Sequence, residues 1–333
     1  MLVPLELPDP VPGPGDVIVR VAATSVNRLD VLMRTGIGDP GIPFPHVLGC
    51  DIVGTVATLG PGTDGYSEGE RVVVNTCYGC GACGACRRGD EVRCPEWKSF
   101  GLQVHGGYGE LVRVPARSLV RPPGGYSSEE LACLPMVLSV AWRSLHVPAM
   151  QGPGDWVAVR AASGGVGLTA LRLGQQMGLR MIALTRSPAR NARLQEMGAE
   201  AVVDASRGEE AVVKEVRALT GGHGVHLVME ATGVTLGSSI DMVRDGGAVV
   251  VYGSLGGRQS TIDVVRTYRH SVQVIGLHNG NRDDLSEAFE FLAAHGVRPL
   301  LGEVLGVEQA AEAHRRFERR DHLGKIVLRH PGP

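Results

Sequence analysis

The 333-residue chain has no strong charge of either sign: 33 lysines and arginines stand against 35 aspartates and glutamates, a formal net charge of −2. That balance leaves no electrostatic footprint for nucleic acid or an anionic membrane surface. No apolar run reaches the length of a membrane span, and the N-terminus lacks the basic-then-apolar pattern of a secretory signal. There is no low-complexity tail and no repeat of fixed period. The expectation is a cytoplasmic globular protein whose thiols stay reduced. With 43% hydrophobic residues, the chain is long enough for two domains with full cores.

What is present is organised around residues 156–190. WVAVRA reads as a buried strand. The turn Ser163, Gly164, Gly165, Val166, Gly167 follows, and LTALRLGQQMG then sets Leu168, Leu171 and Met177 on one helical face. RMIALT is a second strand. Strand, glycine turn, helix, strand is a βαβ unit of a parallel α/β sheet. Its glycines let backbone approach a pyrophosphate, and the helix N-terminus offers free N–H groups. Ala162 replaces the first glycine of the fingerprint, which a negative φ would allow. An NAD site needs an acidic residue at the end of the second strand to bind the ribose 2′-OH. Here Thr185, Arg186 and Ser187, with Arg190 a turn later, offer guanidiniums and hydroxyls to a 2′-phosphate instead. The residues therefore predict NADP(H) over NAD(H). Further strands are expected at 201–203, 226–233, 247–254 and 272–277, making six in parallel. Gly253 and Ser254, ending one of them, join the expected cofactor site.

Upstream, short strands and turns between residues 17 and 75 suggest a compact β-rich domain. Cys77, Cys80, Cys83, Cys86 and Cys94 follow, the last four spaced C-x2-C-x2-C-x7-C. Four thiolates surround Zn²⁺ tetrahedrally and leave no open position, which makes the site structural. The set from Cys77 to Cys86 is an alternative register. GGYGELVRVP, from Gly106, reads as a strand returning to the β-domain. Residues 127–146, capped by Ser127 or Ser128, read as one helix with a proline inside it, bridging the domains. The tail holds helices at 285–295 and 307–320 and ends on the strand KIVL.

Taken together, VNRLD at Val26, PHVLGCDIVGTV at Pro45, the four-cysteine lobe, GGYGELV at Gly106, AASGGVGLTALRLG at Ala161, EMGAEAVVD at Glu196 and LGKIVL at Leu323 resemble the medium-chain dehydrogenase/reductases. This is the zinc alcohol dehydrogenase superfamily, and the resemblance runs over essentially the whole chain. It implies an α/β fold class with two domains. A β-rich GroES-like catalytic domain would take 1–136 and 277–333, with its zinc lobe at 77–94. A Rossmann doubly wound parallel sheet would take 137–276, with the active site in the cleft. It further implies a homodimer or homotetramer, and one more strand ahead of Met1, so that the start looks truncated. Zinc-dependent members carry a cysteine where Asn27 stands, Gly-His-Glu where Gly49, Cys50 and Asp51 stand, and a cysteine or aspartate near Met136. Cys50 and Asp51 alone remain able to bind zinc, because asparagine and methionine are poor ligands for it. Asn27, followed by a residue and then Leu29-Asp30, resembles the zinc-free quinone-oxidoreductase branch, which usually lacks the four-cysteine lobe.

The catalytic candidates are therefore Asn27, Asp30, Cys50 and Asp51. Without a full zinc ligand set, hydrogen-bond donors must polarise a carbonyl, and Asn27 is placed to donate. Arg28 is expected at the cofactor phosphates. Asp30 either orients a neighbouring arginine or stands exposed at a helix start. Cys50 is a ligand, a small apolar filler or a reactive thiol. His46 and His105 either move protons or are ordinary loop histidines. The expectation is an NADP(H)-dependent oxidoreductase with one structural zinc, acting on a small alcohol, aldehyde, ketone, or quinone/enone. Zinc-independent reduction is favoured over a zinc alcohol dehydrogenase with an atypical site. The alternative of another class is an NADP(H)-binding protein without turnover.

Overall fold

The computed structural model describes residues 2–36, 41–320 and 322–331. Alternating valines build the first sheet: β1 (Asp16–Ser25), β2 (Asp51–Leu59) and β3 (Arg71–Val74). β4 (Cys77–Tyr78) and β5 (Lys98–Ser99) form a separate ribbon at the cysteine lobe. β6 (Leu111–Pro115) and β7 (Leu119–Val120) rejoin the first sheet. The inward faces pack Val17, Val19, Val21, Ile52, Val72, Phe100 and Val114 into one core. Alternate residues of these strands face this core, and several of their neighbours, Ile18, Val53 and Val73 among them, are buried on the opposite face.

The second sheet holds β8 (Trp156–Val159), β9 (Arg180–Thr185), β10 (Ala201–Asp204), β11 (Val225–Glu230), β12 (Val243–Val251) and β13 (Gln273–Gly276). Their order is β10-β9-β8-β11-β12-β13, and every pairing is parallel. The inner strands are near-continuous apolar runs, as expected where helices cover both faces. Ala158, Ile182, Val228 and Val249 are core residues of this sheet. Because the order runs outward from β8 in both directions, the crevice at the C-terminal ends of β8 and β11 is the place such sheets offer a ligand.

β14 (Leu301–Gly306) and β15 (Lys325–Arg329) return to the first sheet, where β15 lies beside β1. The chain divides into one unit of Met1–Ser139 with Gly280–Pro333 and another of Val140–Asn279. No helix among the described residues is long and apolar enough to cross a membrane.

Besides the short strands β4, β5 and β7, which the sequence did not mark, the structure departs from expectation in two longer elements. The single helix expected at 127–146 is two, Ser128–Ala132 and Pro135–Leu145. Proline has no N–H to continue the first helix, yet its fixed φ suits the opening turn of the next. Ser127 caps the first helix by accepting from Glu130 N, and the Glu130 carboxylate reaches back to Ser127 N at 2.8 Å. β14 was not expected from LGEVLG, since its two glycines and lack of strict alternation hide a strand.

Candidate active site and cysteine lobe

β1, β2 and β15 bring their ends together in the first unit, and the catalytic candidates gather there. Asp51, the first residue of β2, is fully buried. Its Oδ2 accepts from Ser25 Oγ at 2.5 Å, Asn27 Nδ2 at 2.7 Å and Lys325 Nζ at 3.2 Å. Its Oδ1 accepts from the Met136 backbone N–H at 2.8 Å. Lys325 also donates to Asn27 Oδ1 at 2.6 Å and to the Val26 carbonyl at 3.3 Å. The second N–H of Asn27 faces Cys50 Sγ at 3.3 Å. A buried charge survives only when paired and hydrogen-bonded, and Asp51 with Lys325 meets that requirement.

Asp30 is neither exposed nor beside an arginine in the contacts of this cluster. Its carboxylate accepts from the backbone N–H groups of Asn27 at 2.7 Å and Gly49 at 3.0 Å, fixing the loops that carry Asn27 and Cys50. Burial pushes its pKa up to about 7, with the nearby Asp51 adding to the rise. Burial, followed by the charges of Asp51 and Asp30, drives the Cys50 thiol well above its ordinary value. Such surroundings disfavour the thiolate. The structure brings His46 and His105 within 5.2 Å, ring to ring. His105 Nδ1 accepts from Val47 N at 3.2 Å, while burial holds the His46 imidazole below its usual range. Arg28 is half-buried at the start of its helix.

The four sulfurs of Cys80, Cys83, Cys86 and Cys94 lie within 4.8 Å of one another. Backbone N–H groups of Cys80 and Cys83 point at the sulfurs of Cys94 and Cys80. A Cβ at Gly79 would meet Cys86 Sγ at 2.4 Å, so only glycine lets the loop close on itself. Cys77 lies outside this tetrad, with its sulfur 3.7 Å from the Gly280 carbonyl, which removes the alternative register.

In the second unit, a five-residue turn, 160–164, leads from β8 into the helix Gly165–Gln176, with Gly164 as its N-cap. Ala161, not Ala162, takes the left-handed backbone, at a φ of 50°. A Cβ at Gly167 would lie 2.6 Å from the Ala162 carbonyl oxygen, the close approach that a fingerprint glycine exists to permit. Ser163 and Val166 lie in the same turn. At the end of β9, Thr185 is buried, Arg186 exposed, and Ser187 and Arg190 half-buried. Gly253 and Ser254 follow β12, and a Cβ at Gly253 would meet the Ala231 carbonyl at 2.7 Å. Beneath this rim, Arg160 and Glu230 are buried 3.3 Å apart. Burial alone would raise the Glu230 pKa, but hydrogen bonds from Ser239, Thr232 and Thr235, with the Arg160 charge, bring it below its ordinary value.

Comparison with known proteins agrees with this geometry. Residues 13–124 match the alcohol dehydrogenase GroES-like domain, and residues 165–294 match the zinc-binding dehydrogenase family. A solved NAD-dependent alcohol dehydrogenase is 34% identical with a TM-score of 0.89, covering 98% of this chain and 94% of that one. The chain belongs to the medium-chain dehydrogenase/reductase superfamily of NAD(P)-dependent oxidoreductases. An acryloyl-coenzyme A reductase of Metallosphaera sedula is 27% identical, over 97% of this chain and 95% of its own length. An alcohol dehydrogenase of Geobacillus stearothermophilus is 29% identical, over 95% and 92%.

Three residues of this dehydrogenase/reductase escaped sequence reasoning: Lys325, Arg160 and Glu230. Each is a charge set in an apolar strand run (KIVL, WVAVRA, LVMEATG). Charged side chains are almost never fully buried without a partner, so that pattern was the available signal. Lys325 carried a second one, because Lys98, Lys214 and Lys325 are the only lysines in the chain.

Proposed function

We propose that this chain is an NADP(H)-dependent reductase of a small carbonyl, quinone or enone, working without a catalytic metal and carrying one structural zinc. The observation that carries this reading is the closure of the cluster around Asp51. Both carboxylate oxygens are occupied by donors from Ser25, Asn27, Lys325 and Met136, and Lys325 already supplies the cation. Cys50, whose sulfur lies beside the Asn27 amide, could add one further ligand, so that with Asp51 the set stops at two. The donor set therefore suits a hydrogen-bonding site better than a zinc site, which needs three good ligands and an open position.

The residues fit both groups that the reading requires. In the lobe, Cys83 and Cys86 sulfurs stand 3.5 Å apart. Tetrahedral Zn–S bonds of about 2.3 Å ask for sulfurs about 3.8 Å apart. At the rim, the glycine turn leaves room for a pyrophosphate against the first turn of its helix. When bound, NADPH supplies a hydride. Gly164 to Gly167 would hold its diphosphate, and Thr185, Arg186, Ser187 and Arg190 its 2′-phosphate. Asn27 would hold the substrate oxygen. The N–H that faces the Cys50 sulfur makes the weaker of its two bonds, and is the one that a substrate oxygen would share. Asp51 and Lys325 keep the amide from rotating away.

An enone or enoyl thioester suits a site of this kind, because charge develops on a carbonyl oxygen that a donor can stabilise. The relative named acryloyl-coenzyme A reductase supports that class, while the relative named alcohol dehydrogenase, with the match to the zinc-binding dehydrogenase family, supports the zinc-dependent alternative. Elemental analysis combined with turnover separates the two. One zinc per chain and NADPH oxidation insensitive to chelators are expected. Two zincs per chain, with the second metal and activity lost together in Cys50→Ala, would establish the atypical zinc enzyme.

A further inference from the structure

Arg160 directly follows β8 and Glu230 ends β11, with side-chain exposures of 3% and 0%. Arg160 Nε lies 2.8 Å from Ser239 Oγ, and its Nη2 reaches Glu209 Oε2 at 2.7 Å and Ser238 Oγ at 2.8 Å. Glu230 Oε1 accepts from the N–H groups of Thr232 at 2.6 Å and Gly233 at 3.1 Å, and from Thr232 Oγ1 at 2.7 Å. Its Oε2 accepts from Thr235 and Ser239 at 2.7 and 2.6 Å. Packing alone does not call for such a network, since apolar residues of similar volume commonly stabilise a core as well or better.

The residue after Arg160 supplies a reason for it. Ala161 adopts a φ of 50°, a conformation that costs an alanine free energy and persists only where its surroundings over-determine it. Arg160 N–H is fixed to the Met229 carbonyl at 3.0 Å, and Ala162 N–H to the Leu184 carbonyl at 3.2 Å. The Gly164 N–H then closes on the Ala161 carbonyl at 2.9 Å, and the helix opens one residue later.

We propose that Arg160, acting with Glu230, is a positioning residue for the dinucleotide. The guanidinium pins the chain immediately before the strained alanine. The carboxylate that it touches pins the loop after β11, so one buried pair sets both loops of the crevice. This inference rests on the reading that the glycine turn binds a dinucleotide.

The test is the double variant Arg160→Met with Glu230→Gln, which removes the pair without leaving a buried charge unpaired, since the side chain of Glu209, the other partner of Arg160, is 42% exposed. NADPH and NADH affinities, read by titration of nicotinamide fluorescence, should both weaken about tenfold, the scale of one strained backbone residue. The loss should fall on Kd and on KM for cofactor, while kcat at saturating cofactor changes less than about threefold. Arg160→Lys should lie between. Adding Ala161→Gly should shrink the loss below about threefold, because glycine takes a positive φ without the anchor. If the double variant fails to fold, Ser238→Ala and Ser239→Ala each strip one contact from Arg160 and should still weaken binding about twofold. Unchanged affinity in the folded variants, or a loss that Ala161→Gly leaves undiminished, overturns the inference. An unmutated chain that binds neither cofactor overturns the dinucleotide reading as well.

Discussion

Asn27 carries the chemistry proposed for the first unit, and its surroundings say how its loss should register. Removing the side chain deletes a donor to substrate and a partner of Lys325 and Asp51 together. Asn27→Ala is therefore expected to lower kcat by roughly 10- to 100-fold with little change in KM, the signature of an interaction realised in the transition state. Cys50→Ala, in contrast, should change kcat by less than about threefold; a larger loss would make the thiol a participant. Asp30 gives a pH dependence whose sign can be worked out. Burial first, then Asp51, raise it to about 7, while the Asn27 and Gly49 N–H groups and Lys325 oppose the rise. The folded chain thus keeps a proton that the unfolded chain releases near its ordinary value of 3.8. That contribution is fully present at acid pH and is lost as pH climbs through about 7. Urea denaturation at intervals from pH 5 to 8 should show stability falling by on the order of 3 kcal/mol from this group. In Asp30→Asn the slope should flatten, and an unaltered slope would remove Asp30 as its source. The resemblance to the medium-chain dehydrogenase/reductases marked Asn27, Asp30, Cys50 and Asp51 in the sequence. Their mutual hydrogen bonds were not legible, because Lys325 arrives from a strand 274 residues beyond Asp51.

At the scale of elements, the parallel sheet was the most legible part, since its six strands are apolar runs punctuated by glycine turns. Helix limits and β14 were less so, because a proline that ends one helix also begins another and a glycine-rich edge strand has no strong period. The cysteine lobe and the end of β9 are the elements whose function can be tested in isolation from catalysis. Metal binding at a four-thiolate site contributes directly to folding. Cys83→Ser should therefore lower the melting temperature and soluble yield, and strip zinc, while any properly folded fraction keeps turnover. A purified chain with no metal, or with a disulfide among these cysteines, would contradict the structural-zinc reading. At β9, a charge-assisted pair with the 2′-phosphate outweighs a neutral hydrogen bond. NADPH should bind at least about tenfold tighter than NADH, and Arg186→Ala should narrow the gap by weakening NADPH. Equal dissociation constants in the unmutated protein would sink the preference.

For the whole molecule, the resemblance implies a homodimer or homotetramer, and the edge of the parallel sheet is the surface suited to make it. β13 ends the parallel sheet: it pairs with β12 on one side and has no strand on the other among the described residues. Edge strands are ordinarily blunted by charge, proline or a bulge, and Gln273–Gly276 has none of these. Val274 is 44% exposed there, and the nearby helix Val264–Arg269 leaves Val264 and Tyr268 exposed at 65% and 63%. A second copy, turned about a two-fold axis, can add its own β13 antiparallel to this one and cover those side chains in the same contact. Val274→Lys combined with Tyr268→Lys places charge on both copies of such an interface, where like charges repel and neither side chain is needed for the fold. Light scattering should give the unmutated protein at least twice the 35.2 kDa chain mass and the double variant a lower multiple. A variant that keeps the same mass would move the interface elsewhere, and an unmutated protein running as a monomer would end the proposal.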